Sequence, residues 1–588
     1  MSGLLIFSLF TLALDTLLSA ASLHIHDHIF VPDAVLRVTA EDVAQSCLPE
    51  KSTVLVNGTS PGPELRLVEG KSAWIRVYND MPDKNLTMHW HGLTMAVSPF
   101  SDGSPQASQW PIPPNHFFDY EINVPIGMAG TYFYHSHVGF QAVSAAGSLI
   151  VDEIGIVPYH YDEEKIIFLS DVFTRNDTDI EEGLVHSPLI WSGDAFMVLI
   201  NGKGGGSANG TACNASVEII NVEPNKTYRL RFIGGTALTF VSLAIEGHSE
   251  LTVIEADGSY TGPQKTSFLQ IGTGQRFSVL LKTAANTPTN DFWIQVESRE
   301  RPTTTQGFAL LRYHTGHQPT KEADVFPPAT PPLTLPATDT SFLEYALSPL
   351  TPAFDFPTAA EVTRRVTITV HQAIRGQTIW LENGYNWAEV FPKEPYLVSL
   401  YKQDGIEFPS MQRALANNGI DPVTRAFPAQ IGEVLEIVIQ NTGADSGELD
   451  VHPFHAHGAH YWDLGSGNGT YEANANEEKI HAGHHRPIKR DTTMLYRYGT
   501  STGNRTAEGW RAWRLKVTEP GVWMIHCHVL QHMLMGMQTV WVMGNSQQVL
   551  RLPYPEVKGY LNYGGDVYGN ETHFPTVMHF NDDWANEQ

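Results

Sequence analysis

Charge and cysteine are both scarce in this sequence. Only 17% of its 588 residues are charged, and acids outnumber bases so far that the formal net charge is -26. A chain this negative repels the phosphates of nucleic acids and the headgroups of anionic lipids. We therefore expect neither nucleic acid nor a membrane surface as a partner, and we expect small molecules instead.

Long apolar runs are absent after the start of the chain. No later run approaches the ~20 apolar residues that a membrane-spanning helix needs. The first stretch has an apolar run from Leu4 to Leu14, followed by the small residues Ser19, Ala20 and Ala21. This pattern predicts a secretory signal peptide over residues 1–21 and a secreted, extracellular mature protein.

Two further features suit an exported protein. N-x-S/T sequons mark candidate glycosylation sites at a high density. They lie at Asn57, Asn85, Asn176, Asn209, Asn214, Asn225, Asn468, Asn504 and Asn570. The only cysteines are Cys47, Cys213 and Cys527. In an oxidising compartment two of them are expected to form a disulfide, which leaves one thiol free for chemistry.

The fold class follows from composition and from short alternating runs. The sequence holds 13 Trp, 37 Pro and 49 Gly, and its Val, Ile, Tyr, Phe and Thr occur in short runs broken by turn residues, which favours an all-β protein. Residues 73–78, 228–233 and 366–370 alternate as strands with one buried face. The chain is too long for one hydrophobic core. A Pro/Thr-rich stretch, residues 317–360, is typical of a linker.

An internal repeat divides the chain further. Residues 130–138 (GTYFYHSHV) align without a gap with residues 521–529 (GVWMIHCHV), and an H-x-H-G motif precedes each, at 89–92 and at 455–458. Between the two copies, residues 156–316 show strand patterning but no H-x-H pair. We therefore expect three consecutive β-domains, with chemistry in the first and the third. The predicted bounds are 22–155, 156–316 and 361–588.

The H-x-H pairs predict a metal cluster. Side chains at i and i+2 of a strand share a face, so each pair presents two imidazoles to neighbouring metal ions. The eight imidazoles are those of His89, His91, His135, His137, His455, His457, His526 and His528. They suffice for about three ions, and imidazole alone suits copper, zinc, iron or nickel. A single H-x-H pair is usually incidental, but four pairs in a repeat favour a metal site over a purely structural role.

Cys527 identifies the metal. It lies between His526 and His528 and so points to the opposite face of the strand, towards a second site. With His452, His532 and Met537 it completes the ligand set of a blue electron-transfer copper. The first repeat has Ser136, Gln141 and Leu86 at the positions of Cys527, His532 and His452. Only one mononuclear site is therefore encoded.

Other histidines have no predicted role. His24, His26 and His28 lie near the expected mature terminus, and His481, His484 and His485 lie in a predicted loop. We expect all of them to be solvated surface residues.

These residues and motifs resemble those of the multicopper oxidases, and within them the fungal laccase-like and ascorbate oxidase-like enzymes. The resemblance runs from about residue 56 to residue 540. It implies three consecutive cupredoxin-like domains, each a Greek-key β-sandwich or barrel. It also implies a copper-dependent oxidoreductase with dioxygen as acceptor, in which four one-electron oxidations drive one four-electron reduction of dioxygen to water.

The resemblance also assigns the ligands of four copper ions. Type 1 copper would be bound by His452, Cys527, His532 and the weak axial ligand Met537, and type 2 copper by His89 and His455. One type 3 copper would take His91, His135 and His528, and the other His137, His457 and His526. Asp102 matches an acid thought to assist proton delivery to reduced oxygen. A disulfide between Cys47 and Cys213 is implied as well, which leaves Cys527 as the free thiolate.

The donor is less well defined. Trp191 and Trp380 match two tryptophans that line the reductant pocket of ascorbate oxidases beside the position of His532, although both could equally be core residues. Phe196 stands where many laccases carry a carboxylate, and Asp194 is the nearest acid. We expect a phenol or an ascorbate-like enediol as donor. The alternatives are a ferroxidase-type metal oxidase and a non-catalytic copper-binding protein.

Overall fold

The computed structural model describes residues 22–208, 211–287, 289–314, 323–351, 355–388, 394–403, 407–483, 486–500 and 506–580. The predicted signal peptide, Asn209, Asn504, His484 and His485 lie outside these ranges. The described chain consists of β-strands with a few short helices. The all-β prediction is confirmed.

The N-terminal unit consists of two facing sheets. Its strands are β1 (Ser22–Ile25), β2 (Ala34–Val43), β3 (Lys51–Val56), β4 (Gly62–Val68), β5 (Lys71–Asn79), β6 (His89–His91), β7 (His116–Val124), β8 (Gly130–His135) and β9 (Ala146–Asp152). One sheet has the order β3-β2-β5-β7 and the other β4-β9-β8-β6. Alternation along β5 buries Ile75 and Val77 between the sheets, as the sequence pattern predicts.

The middle unit is a second pair of sheets. It contains β10 (Glu163–Val172), α1 (Asp177–Val185), β11 (Met197–Ile200), β12 (Gly206–Ala208), β13 (Thr211–Cys213), β14 (Glu218–Val222), β15 (Thr227–Gly234), β16 (Phe240–Ile245), β17 (Leu251–Ala256), β18 (Ser259–Thr266), β19 (Leu269–Ile271), β20 (Arg276–Lys282), β21 (Asp291–Arg299) and β22 (Gln306–Tyr313). The sheet orders are β11-β10-β15-β20-β17-β18 and β14-β22-β21-β16-β19. Phe342 and Leu347, from the Pro/Thr-rich stretch, are buried in the core of this unit.

The C-terminal unit repeats the arrangement. It contains β23 (Arg364–Arg375), β24 (Gln377–Glu382), α2 (Tyr396–Lys402), α3 (Met411–Leu415), β25 (Ala426–Ala429), β26 (Val434–Ala444), β27 (His452–Ala456), β28 (Tyr461–Gly467), α4 (Ala473–His481), β29 (Lys489–Arg490), β30 (Thr492–Leu495), β31 (Trp510–Lys516), β32 (Gly521–Cys527), α5 (Leu530–Leu534), β33 (Gln538–Met543), α6 (Ser546–Val549), α7 (Tyr554–Val557), β34 (Tyr568–Gly569) and β35 (Thr576–His579). Its sheets have the orders β24-β23-β26-β31-β28-β29 and β25-β33-β32-β27-β30. Among the described helices, none has the length and apolar character needed to cross a bilayer.

The two ends of the chain meet on the N-terminal unit. β34 adds to the edge of β7, and β35 pairs antiparallel with β1. This pairing buries His26, whose Nδ1 lies 2.6 Å from the Asp119 carboxylate. The prediction that His26 is a solvated surface residue is therefore wrong, whereas His24, His28 and His481 are exposed.

A disulfide connects the first two units. Cys47, between β2 and β3, is bonded to Cys213 at the end of β13. Cys527 is left as a buried free thiol. The disulfide has the pairing that the resemblance implies.

Candidate metal centre

The strands that carry the H-x-H motifs lie next to each other within each unit. β6 pairs antiparallel with β8, which places His89 opposite His135. β27 pairs antiparallel with β32, which places His455 opposite His526. The internal repeat of the sequence is thus also a repeat of strand register. Each unit presents two adjacent rows of imidazoles on one sheet face.

The N-terminal and C-terminal units bring their imidazoles together. The ring of His89 stacks on His457 with centroids 3.9 Å apart, and that of His91 stacks on His455 at 3.6 Å. All eight histidines are buried. Three triads have one nitrogen from each member within 4.8 Å of the others: His91, His135 and His528; His137, His457 and His526; and His89, His91 and His455.

Ring nitrogens converge in the centre of this cluster without protein partners. Nε2 of His457 lies 3.1 Å from Nε2 of His526, and Nε2 of His528 lies 3.4 Å from Nε2 of His135. Nε2 of His89 has no hydrogen-bond partner among the described residues. Lone pairs that face each other in a buried space need a cation between them.

The protein holds the opposite ring nitrogens of His89 and His526. Nδ1 of His89 lies 2.6 Å from the carbonyl oxygen of Asp102, and Nδ1 of His526 lies 2.9 Å from that of Cys527. A carbonyl can only accept, so each Nδ1 carries the proton and each Nε2 keeps its lone pair. Burial lowers the pKa of His135 to about 4 and that of His526 to about 3, which keeps these rings neutral.

A second group of donors lies on the other face of β32. The Cys527 sulfur is 3.8 Å from Nδ1 of His452 and 3.7 Å from Nδ1 of His532, and the two nitrogens are 3.2 Å apart. Met537 is buried, and its carbonyl accepts the amide N–H of Cys527 at 3.1 Å. Burial raises the pKa of the Cys527 thiol, so the thiolate requires a bound cation.

The donor sets fit copper. A thiolate with two imidazoles suits a mononuclear electron-transfer copper, and imidazole triads suit copper at the cluster. Cys527 is joined to His526 and His528 by single peptide units. The two groups of donors are therefore connected by short covalent paths.

Asp102 lies beside the cluster. Its Oδ2 is 3.0 Å from Nδ1 of His457 and accepts a hydrogen bond from Ser104 at 2.5 Å, and the residue is fully buried. Burial raises the pKa of this carboxyl group. Asp102 can therefore orient His457 and also hold a proton close to the ring nitrogens.

A second acid at the cluster was missed by sequence reasoning. Asp491, between β29 and β30, places Oδ1 3.3 Å from Nε2 of His91 and 3.5 Å from Nδ1 of His455. Arg276 of the middle unit donates to both of its carboxylate oxygens, at 2.7 and 2.6 Å. No local motif marks either residue, so the sequence carries no signal from which to infer this pair.

The edge of the Cys527 site contains the second predicted tryptophan. The Trp380 ring centroid lies 4.9 Å from those of His452 and His532, and the side chain is buried. Trp191 is 36% exposed. Its neighbour Ser192 accepts a hydrogen bond from Gln531, on the helix that carries His532, at 3.3 Å.

The acid at this edge is a different residue from the one considered in the sequence. Asp194 accepts the amide N–H of Thr303. Oδ2 of Asp450 instead lies 3.4 Å from Nε2 of His532, and Oδ1 accepts from Arg301 at 2.5 Å. The sequence places Asp450 two residues before His452, and this spacing was the feature from which its position at the site could have been inferred.

Comparisons with known proteins agree with this geometry. Three family models, each described as multicopper oxidase, match residues 37–154, 163–316 and 392–547. The chain is 44% identical to "Laccase-like multicopper oxidase 1" of Thermothelomyces thermophilus, over 95% of this chain and 94% of the relative. It is 31% identical to an L-ascorbate oxidase of Cucumis sativus, over 83% and 85%.

A solved structure has the same fold. The crystal structure of Fet3p, titled a multicopper oxidase that functions in iron import, superposes with a TM-score of 0.68 at 23% identity, covering 92% of this chain and 96% of that one. Together, the family models and the relatives confirm the predicted resemblance and the predicted class of enzyme. The chain belongs to the multicopper oxidase family and is a copper oxidoreductase that uses dioxygen.

Proposed function

We propose that this protein is a secreted oxidase that couples one-electron oxidation of a phenolic or enediol donor to the four-electron reduction of dioxygen to water. The observation that carries the proposal is the position of Cys527. Its side chain enters one donor group while the residues on either side, His526 and His528, enter the other. That arrangement connects the Cys527 site, which would accept one electron at a time, to the histidine cluster, which would deliver four electrons to dioxygen.

The donor groups would bind four copper ions. His452, Cys527 and His532, with Met537 as axial ligand, would bind type 1 copper, and His89 and His455 would bind type 2 copper. The type 3 pair would be bound by His91, His135 and His528 and by His137, His457 and His526. Each three-nitrogen set, and the Cys527 set, has its donor atoms within 4.8 Å of one another. When bound, copper supplies one-electron transfer at the first site and dioxygen reduction at the second.

The residues around the copper ligands would position those ligands, keep them away from water and supply protons. Asp102 holds His457 through Nδ1 and is buried beside the cluster, where its raised pKa suits it to hold a proton for the reduction of dioxygen. Leu530, between His528 and His532, is apolar, so a second proton relay is not proposed there. The neutral imidazoles keep their lone pairs free because burial lowers the pKa of each ring that shows a shift.

A planar organic donor fits the edge of the Cys527 site. Trp380 covers both imidazoles of that site, and Trp191 is partly exposed close to the helix that carries His532. The partly exposed ring of Trp191 can stack on a phenol or an enediol, and the buried ring of Trp380 packs against the imidazoles below it. With the Met537 thioether as a weak ligand, type 1 copper would have a modest potential, which favours an easily oxidised donor.

The two alternatives have less support. A ferroxidase-type oxidase needs uncompensated acids at this edge, and Asp450 is ion-paired with Arg301. A non-catalytic copper-binding protein has no need of the connection from Cys527 to the cluster. Names of relatives point to laccase-like and ascorbate oxidase activities.

Export is supported by the oxidised cysteines and by the exposed sequons. The Cys47–Cys213 disulfide is typical of an oxidising compartment. Asn57, Asn176, Asn214, Asn225 and Asn468 are exposed, and Asn85 and Asn570 are partly so. These asparagines are open to glycosylation.

Oxygen uptake by the purified protein tests the proposal. We expect a blue protein with about four copper ions per chain that consumes dioxygen with a phenol or with ascorbate, and far more slowly with ferrous ion. Faster uptake with ferrous ion would favour the metal oxidase. A colourless protein, or one that binds about one copper ion at saturation, would refute the proposal.

A further inference from the structure

The middle unit has no H-x-H pair, yet one of its turns contacts the histidine cluster. This cluster-facing turn, residues 272–276, connects β19 to β20. Its conformation is held internally, because the amide of Gly272 donates to the side chain of Gln275 at 2.9 Å, and the Gln275 amide donates back to the Gly272 carbonyl at 3.0 Å. Thr273 and Arg276 are buried.

Thr273 holds His528 in two ways. Its hydroxyl lies 2.8 Å from Nδ1 of the His528 ring and 2.9 Å from the carbonyl oxygen of the same residue. The hydroxyl donates to the carbonyl and therefore accepts from Nδ1. This leaves the lone pair of Nε2 free on the side that faces His135.

Arg276 acts on His91 through Asp491. Two guanidinium nitrogens donate to the two carboxylate oxygens of Asp491, which in turn lies 3.3 Å from Nε2 of His91. Arg276 also donates to the carbonyl oxygen of Thr131 on β8 at 3.1 Å, so one side chain connects all three units. A buried carboxylate without this counter-charge would be strongly unfavourable.

Gly274 allows the turn to approach this closely. Its φ is +87°, and a Cβ added there would lie 3.1 Å from the rings of both His528 and His91. The backbone of the middle unit therefore packs directly against two imidazoles.

We infer that the cluster-facing turn is a positioning element of the trinuclear site, in which Thr273 fixes His528 and Arg276 fixes His91 and His455 through Asp491. The inference rests on the proposed function, since the cluster must bind copper. Both residues would act through ligands and neither would touch dioxygen.

A merely structural role predicts something different. If the turn only held the units together, its loss would lower the melting temperature and leave the cluster spectrum unchanged. A positioning role of Arg276 requires a change in the type 2 electron paramagnetic resonance signal, because Asp491 also lies 3.5 Å from Nδ1 of His455. A positioning role of Thr273 requires a lower copper content of the cluster, because His528 is a type 3 ligand.

The test compares Arg276→Lys and Thr273→Val with Arg514→Lys in the full-length holoenzyme. Lysine keeps the charge but cannot donate to both oxygens of Asp491. Arg514 is the matched control, since it is buried and paired with Glu436 and Glu477, carboxylates that contact none of the cluster histidines. The measurements are the type 2 hyperfine splitting, the copper content, the blue absorption, kcat and the melting temperature.

We expect Arg276→Lys to change the type 2 splitting, and Thr273→Val, which acts on a type 3 ligand, to lose cluster copper, with kcat reduced ~10–100-fold and the blue absorption retained in both. The control should lower only the melting temperature. Wild-type splitting, copper content and kcat in both turn variants would overturn the inference. If Arg276→Lys does not fold, Thr273→Val alone decides. A wild-type protein without a type 2 signal would instead refute the proposed function.

Discussion

His526 and Cys527 are consecutive residues at the end of β32, and their side chains enter different donor groups. His526 is in register with His455 on β27 and faces the cluster. Cys527 is in register with Phe454, and its sulfur lies 3.7 Å from Nδ1 of His532. A single peptide unit therefore separates the two groups, as the alternation of side chains along a strand requires.

Replacement of Cys527 by serine tests this connection. A hydroxyl is a much weaker copper ligand than a thiolate, so Cys527→Ser should abolish the blue absorption and turnover. The cluster histidines are unchanged, so copper content should fall by about one ion per chain. The control is Ser136→Ala, at the equivalent position of the first repeat, which should remain blue. Blue colour in Cys527→Ser would contradict the assignment of the type 1 site.

Removal of the Trp380 ring tests the donor site. The ring covers both His452 and His532 at 4.9 Å, while its indole N–H has no hydrogen-bond partner. Trp380→Ala should raise KM for a phenol and for ascorbate several-fold and leave the copper content unchanged. Steady-state oxygen uptake measures both constants. Trp191→Ala serves as the comparison at the exposed side, and an unchanged KM for every donor in both variants would place the donor elsewhere.

Asp450 should lower the potential of the type 1 site. Its carboxylate lies 3.4 Å from Nε2 of His532 and stabilises the more positive, oxidised state. Asp450→Asn keeps the shape, removes the charge and leaves Arg301 uncompensated. The potential should rise by roughly 60 mV, which is ~1.4 kcal/mol for one electron. Redox titration of the blue absorption measures this rise, with Asp194→Asn as the control. An unchanged potential would show that Asp450 has no electrostatic effect on the site.

The ligands could be predicted from the sequence because their information is local. Each H-x-H pair lies within one strand, and the spacing from Cys527 to His532 and Met537 spans one short helix and its ends. The alternation of side chains along a strand, together with the internal repeat, is enough to place these ligands on one face of a sheet.

The residues around the ligands could not be predicted because their contacts cross between units. Arg276 and Asp491 are separated by 215 positions, and no spacing rule connects them. His26 was assigned to the surface because the sequence gives no sign that β35 pairs with β1 and covers it. Trp380 alone does not reveal whether its ring lies in a core or against a histidine.

A buried acid near the Cys527 site gives a prediction about stability and pH. Glu382 is 1% exposed, and among the described residues no side chain forms a hydrogen bond or an ion pair with its carboxylate. Burial raises its pKa well above the ordinary range, and the Gln538 amide offsets this only in part. In the unfolded chain the group loses its proton above pH ~4.3, whereas the folded protein retains it to a higher pH. The unfolded state then binds fewer protons, so stability falls as pH rises.

Replacement by glutamine should therefore stabilise the protein at neutral pH. Glu382→Gln keeps the shape without a carboxyl proton, and the gain should be on the order of 2 kcal/mol at pH 7. Near pH 4 both states of the wild type are protonated, so the difference from wild type should vanish. Melting temperatures of both proteins across this range test the sign. Glu436→Gln is the control, because its loss removes one of the two carboxylates that compensate the buried charge of Arg514. That variant should be destabilised at pH 7, and a Glu382→Gln protein less stable than wild type there would show that the carboxylate has a partner.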